Sequence, residues 1–160
     1  MKAVKFLKTI DIAVHPHNFD AAVARWERLL GDTAIPMDPS MNPGGKSKAA
    51  HIGLPKGEYA CHSIGIFTYT EAAAPDNDRL RRHLAEHGEG VILLAFMVDD
   101  IEEADQQARA DGFPLSYAKP ERYGVGIHNF IAGDPMLQDM DIQLAQHDEG
   151  GYEKWRAGKH

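Results

Sequence analysis

The chain has 160 residues, of which 43% are hydrophobic and 26% charged, with a formal net charge of −7. That is enough for one compact domain with a real core, and the acidic balance excludes a nucleic-acid backbone as partner. No apolar run approaches the ~18 residues of a membrane span. The opening Met1 to Lys8 lacks an apolar stretch of signal-peptide length, and the lone Cys61 cannot make an internal disulfide. A cytoplasmic location is therefore expected.

Residues Phe6 to Val14 read as a strand. Phe6, Lys8, Ile10, Ile12 and Val14 share one nearly apolar face, which should meet a helix. Leu7, Thr9, Asp11 and Ala13 share the other, mixed face, which suits a cavity wall. Asn18 is placed to N-cap a helix over Phe19 to Leu30, whose apolar stripe is Phe19, Val23, Trp26 and Leu30, and Gly31 ends it. A short strand near Thr33 to Met37 leads into the Pro/Gly-rich loop Asp38 to Gly45, which either closes as a lid or simply connects. Strands follow over Lys48 to Leu54 and Ala60 to Thr70, then a helix within Pro75 to Gly88.

Val91 to Val98 reads as a strand apolar on both faces. Asp100 and Glu103 form a capping box for a helix over Ile101 to Ala110. Strands near Leu115 to Ala118, Gly126 to Ala132 and Met140 to Gln146 complete the pattern. The polar tail Asp148 to His160 offers Trp155 as an anchor.

The strand and helix from Thr9 to Gly31 are echoed from Leu93 to Gly112, so Thr9 aligns with Leu93, 84 residues on. Each half reads as βαβββ. The expected fold is α+β, one domain of paired βαβββ modules forming a curved mixed sheet around a central cavity. Residues 5–74 form the first module, 75–90 the linking helix, 91–146 the second module and 147–160 the tail.

Ile10-Asp-Ile-Ala-Val14, Phe19-Asp-Ala-Ala-Val23 and Leu29-Leu-Gly31 open the first half. His87-Gly-Glu-Gly90 with Ala95-Phe-Met-Val-Asp-Asp-Ile101 opens the second, and Phe130-Ile-Ala-Gly-Asp-Pro135 with Met140-Asp-Ile-Gln-Leu144 closes it. In this order and spacing the motifs resemble the vicinal-oxygen-chelate superfamily, the glyoxalase, bleomycin-resistance and dioxygenase fold. The pattern is closest to its methylmalonyl-CoA epimerase and glyoxalase-like branch, over roughly residues 5–146. The resemblance implies a homodimer and a small-molecule ligand. It also implies a divalent metal held by His, Gln or Glu, acting as a Lewis acid.

The positions that would carry those metal ligands hold Thr9 in the first strand, Leu93 in its repeat and Thr68 or Tyr69 late in the first half. Only the last strand keeps a candidate, Asp141 or Gln143. About three protein ligands are needed, so the inherited metal site is expected to be absent and no cofactor is expected. A relocated site from His51, His62 and Asp141 is the alternative. His15 with His17, and His83 with His87 at i, i+4, are further pairs, and a surface or hydrogen-bonded role is the ordinary one for each.

Acid–base work then falls to Asp141 and Asp11, carboxylates on strand faces among apolar neighbours. Thr9, Tyr69, Leu93, Asn129 and Gln143 are the expected substrate contacts; Asn129, rather than its neighbour His128, has the parity expected to face the cavity. The expected activity is that of a lyase, isomerase or epimerase on a small oxo-acid, thioester or cyclic metabolite. Two alternatives stand beside it: a metal-free antibiotic-type binding protein, and a divalent-metal enzyme with relocated ligands.

Overall fold

The computed structural model describes residues 4–37, 42, 44–53, 63–74, 78–134, 137 and 140–151. Cys61, His62, the tip of the 38–45 loop and Trp155 in the tail lie outside the described residues. Packing divides the chain into two compact units, Ile10–Ile92 and Met1–Thr9 with Leu93–His160. Strands β1 (Val4–Ala13) and β5 (Gly90–Val98) each run from one unit into the other.

The first unit holds the end of β1, then α1 (Phe19–Leu30), β2 (Ile35–Pro36), β3 (Ser47–Gly53), β4 (Ser63–Tyr69) and α2 (Arg79–His87). Its strands neighbour one another in the order β2-β3-β4-β1. Phe19, Val23, Trp26 and Leu30 of α1 pack on Ile10, Ile12, Ala50, Ile64 and Ile66. Even-numbered residues of these strands therefore face the helix, and odd-numbered ones face away. The helix spans the predicted residues and stops at Gly31, whose φ of 67° is left-handed and whose N–H reaches the Glu27 carbonyl.

Its start differs from expectation. A single 3-10 turn, Pro16–Asn18, leads into it, and the Asn18 side chain makes no cap hydrogen bond. The Asn18 Nδ2 donates instead to Glu89 Oε1 at 2.8 Å, which also accepts from the His15 N–H. These bonds hold the exposed Glu89 carboxylate below its ordinary pKa.

The second unit carries most of β5, then α3 (Ile101–Ala110), β6 (Glu121–Tyr123), β7 (Gly126–Ile131) and β8 (Asp141–His147). The order is β5-β8-β7-β6, with β5 and β8 parallel and the other pairs antiparallel. Asp100 caps α3 as expected, its carboxylate accepting from the Glu102 and Glu103 N–H groups. Ile101, Ala104 and Ala108 pack on Val98, Ile131 and Leu144. Burying a side chain such as Leu144 contributes about 1.5–3 kcal/mol.

The strand expected at Leu115 to Ala118 is not formed; only Leu115 makes a bridge, to Ile131, and the edge strand is β6. The cause is a side chain. The Asn129 amide mimics a peptide group, accepting from the Tyr117 N–H at 3.1 Å and donating to the Tyr117 carbonyl at 3.2 Å. Ladder bonds to β7 stop at Ser116, whose N–H donates to the Phe130 carbonyl, and the Tyr117 backbone is satisfied by the amide instead. Two βαβββ modules joined by α2 result, the α+β class the repeat implies. Among the described residues no helix is long and apolar enough to cross a membrane.

Candidate active site on the first module

The face of the first unit turned away from α1 is formed by odd-numbered residues: Asp11 on β1, His51 on β3, and Gly65, Phe67 and Tyr69 on β4. Antiparallel register sets His51 opposite Gly65 and Ala49 opposite Phe67. Asp11 is 7% exposed, and its Oδ1 lies 3.9 Å from His51 Nε2. That separation is too long for a hydrogen bond, and it becomes a charge contact once the imidazole takes up a proton. The edge of Phe67 meets the His51 ring, with centroids 5.4 Å apart and planes at 85°.

Gly65 makes the arrangement possible. A Cβ there would stand 2.1 Å from Asp11 Oδ1 and 2.8 Å from Phe67 Cε2. The missing side chain is the space the carboxylate occupies. A glycine inside an apolar strand signals such a close approach, and it was the available signal for this site. Sequence reasoning reached Asp11 as an acid–base group and had His51 only as a metal ligand.

The histidine pairs flagged in the sequence are near neighbours. His15 and His17 stack with centroids 5.7 Å apart, and His83 and His87 lie 4.9 Å apart on α2. Tyr69 is taken up by a cation: the Arg81 guanidinium lies over its ring, 5.0 Å from the centroid. A cavity of about 750 Å³ in this unit opens between α1 and strands β2 and β3, lined by Phe19, Val23, Pro36, Met37, Lys48 and Ala50. Those residues include the α1 side of β3, so the cavity is separate from the His51 face.

In the second unit Leu93 stands opposite Asp141 and Ala95 opposite Gln143. Gln143 Nε2 lies 2.9 Å from His128 Nδ1. The expected parity of β7 is reversed. Asn129 is fully buried on the α3 side, where its Nδ2 donates to Asp105 Oδ1, and His128 takes the helix-free side. Ile127 and Ile131, two residues either side of Asn129, pack on α3, and Asn129 follows them. Asn129 is thus a structural group rather than a substrate contact.

His147, which the sequence reading does not single out, shares the side away from α3 with Gln143, its ring centroid 6.2 Å from that of His128. Burial, and secondarily the charge of Lys8, push His147 down to about 4.

Among the described residues no group of three or more His, Cys, Asp or Glu side chains is arranged to hold a metal ion. At two of the inherited positions, Thr9 is buried and offers only a hydroxyl, and Leu93 has no donor atom. Of the relocated set, His51 neighbours Asp11, Asp141 stands beside Leu93 in the other unit, and His62 is outside the described residues.

A family model described as the Glyoxalase/Bleomycin resistance protein/Dioxygenase superfamily matches residues 10–131. The chain belongs to that superfamily. Among solved structures it is similar to methylmalonyl-CoA epimerase from Mycobacterium tuberculosis, with TM-score 0.71 and 20% identity over 91% of this chain and 90% of that one. It is also similar to the Streptomyces coelicolor methylmalonyl-CoA epimerase in complex with 2-nitronate-propionyl-CoA, with TM-score 0.69 and 18% identity over 91% and 99%. At these identities the likeness shows the fold.

Among curated proteins, 4-hydroxyphenylpyruvate dioxygenase of Danio rerio is 28% identical over 102 residues, 51% of this chain and 26% of that protein. The Caenorhabditis elegans enzyme of the same name is 38% identical over 47 residues, 29% of this chain and 12% of that protein. The chain thus spans about a quarter or less of these superfamily relatives. Epimerases and dioxygenases, both enzymes, are the named neighbours.

Proposed function

We propose that this superfamily member is an isomerase or epimerase that moves a proton on a small carbonyl compound, an oxo-acid or thioester, by acid–base chemistry. The observation that carries the reading is the Asp11–His51 pair seated over Gly65 on the sheet face turned away from α1. His51, whose side chain is 19% exposed, is the group that meets substrate, and the more buried Asp11 stands behind it. The imidazole takes the proton from the carbon beside the carbonyl. The C–H bond breaks, an N–H bond forms, and the electron pair moves onto the carbonyl oxygen as an enolate. The Asp11 carboxylate stabilises the imidazolium, as a close opposite charge does. Delivery of a proton to the other face of that carbon by a second acid or by water, with the His51 proton released to solvent, completes an epimerisation. Where that carbon bears a hydroxyl, proton return to the former carbonyl carbon of the enediolate, with the hydroxyl losing its own proton, completes an isomerisation. No step requires an oxidant or a metal. The epimerase neighbours support the same class of chemistry, and Asp141 is kept as a second candidate acid. The homodimer, the cytoplasmic location and a small-molecule substrate belong to the same proposal.

The test is incorporation of solvent deuterium into a panel of acyl thioesters and 2-oxo acids, followed by proton NMR. Wild-type protein exchanges the acidic proton of at least one. H51Q lowers that rate about 100-fold or more, and D11N lowers it by a smaller factor. If both variants exchange at the wild-type rate, this site is not the catalytic one. Ligand binding by wild type with no exchange on any compound would favour a binding protein instead.

A further inference from the structure

The other cation–carboxylate contacts of this acidic chain include Lys5–Asp99, Lys48–Asp20, Arg109–Asp105 and Arg122–Asp148. Arg81 makes no ion pair among the described residues. It is nonetheless held in place. Its N–H donates to the Asp78 carboxylate that caps α2, its Nη1 donates to the Ala73 carbonyl at 3.0 Å, and its guanidinium lies over the Tyr69 ring. A guanidinium has five N–H donors, and among the described residues one hydrogen bond, to the Ala73 carbonyl, is made by them. A cation fixed on an aromatic ring, half-buried and without a counter-charge among the described residues, has spent its ordering entropy in advance and keeps a planar fork for an oxyanion.

Its place on the sheet gives it meaning. Tyr69 lies on the same side of β4 as Phe67 and as Gly65, which underlies Asp11, the side turned away from α1. Four residues of extended chain separate Gly65 from Tyr69, roughly 13 Å at about 3.3 Å per residue. We infer that Arg81 anchors a terminal oxyanion, phosphate or carboxylate, on an elongated substrate whose reacting carbon lies at His51, roughly 13 Å away. This rests on the acid–base reading of His51 and adds a length and a charge to the substrate. A small neutral carbonyl compound would leave Arg81 unused.

Calorimetric titration with pyrophosphate and with glutarate, at low and at 0.3 M salt, tests the anchor. Wild-type protein binds at least one of them, and R81Q weakens that binding tenfold or more. R81K, which keeps the charge and loses the fork, weakens it less. R82Q, on the exposed neighbour, changes it by less than twofold. Pyrophosphate alone marks a phosphate site, and glutarate alone marks a carboxylate site. If wild type binds neither at millimolar concentration, or if R81Q binds within twofold of wild type, the anchor is refuted.

Thermal melting of R81Q guards against a folding defect, and the folded R81K variant carries the test if R81Q does not fold. In the deuterium-exchange assay, R81Q raises KM for a substrate with an anionic tail and leaves kcat near wild type, and H51Q does the reverse. Should H51Q exchange normally while R81Q still loses anion binding, the acid–base reading fails and the anchor stands.

Discussion

The two modules repeat a chain path and invert a chemistry. In the first, the helix side of the sheet is apolar, and the titratable pair Asp11–His51 sits on the opposite face. In the second, polar groups are buried under the helix. Asp105 is 5% exposed, bonded to Arg109 Nε at 2.7 Å and to Asn129, and Arg109 also reaches the Tyr117 carbonyl. A duplicated backbone therefore does not duplicate side-chain roles. Strand parity offers each position two environments, and each half has placed its charged residues differently.

The sharpest way to break this comparison is to remove one polar group from each module. H51Q is expected to lower exchange about 100-fold or more with a near-wild-type melting temperature. N129A is expected to do the opposite, costing roughly 2–4 kcal/mol in urea denaturation because Asp105 and the Tyr117 backbone lose a buried partner. An N129A protein of wild-type stability would show that the buried network under α3 is not what holds the Tyr117 segment.

A second measurement compares that network with ordinary core. L144A, beside it in the same layer, should cost about 2–5 kcal/mol, as large as the polar truncation or larger. Equal melting of L144A and wild type would contradict the burial of Leu144.

His147 gives a third, pH-dependent handle on the second module. Its folded-state pKa, about 4, lies below the ordinary histidine value of 6.5, so the unfolded chain binds the proton more readily. The stabilising effect is therefore fully present above about pH 6.5 and is lost as pH falls towards 4, by up to about 3 kcal/mol. Urea midpoints at pH 7 and pH 4.5 should fall further for wild type than for H147Q. Identical falls in the two proteins would remove His147 as the cause.

The smallest effect is on the surface of the first module. D20N breaks the exposed Lys48–Asp20 pair, and Lys48 also lies over the Phe19 ring. A change of roughly 0.2–1 kcal/mol or less is expected, shrinking with added salt.

Much of the fold was legible because periodicity and punctuation agreed. α1 and α3 occupy their predicted residues, since apolar spacing, Gly31 and Asp100 mark them locally. What was not legible depended on contacts far along the chain. Asn129 reads as a polar residue fit for a cavity wall until Asp105, 24 residues earlier, is seen beneath it. That same amide cuts short, at Tyr117, the strand expected at Leu115 to Ala118. Asp11 was legible as a carboxylate on a mixed face, but its partner was not, because register sets His51 opposite Gly65. Arg81 likewise gave no local sign of its seat on Tyr69.

The vacancy above Gly65 also constrains how the site can change. With 2.1 Å between a Cβ at that position and the Asp11 carboxylate, even alanine cannot enter while Asp11 stays where it is. Positions 11 and 65 form an ordered pair: the carboxylate must be lost or shortened before a side chain appears at 65. In a set of homologues, Asp at 11 together with any residue larger than glycine at 65 should be missing. The reverse combination, a small residue at 11 with glycine at 65, is the permitted intermediate. Sequence drift at this site is therefore expected to run in one order.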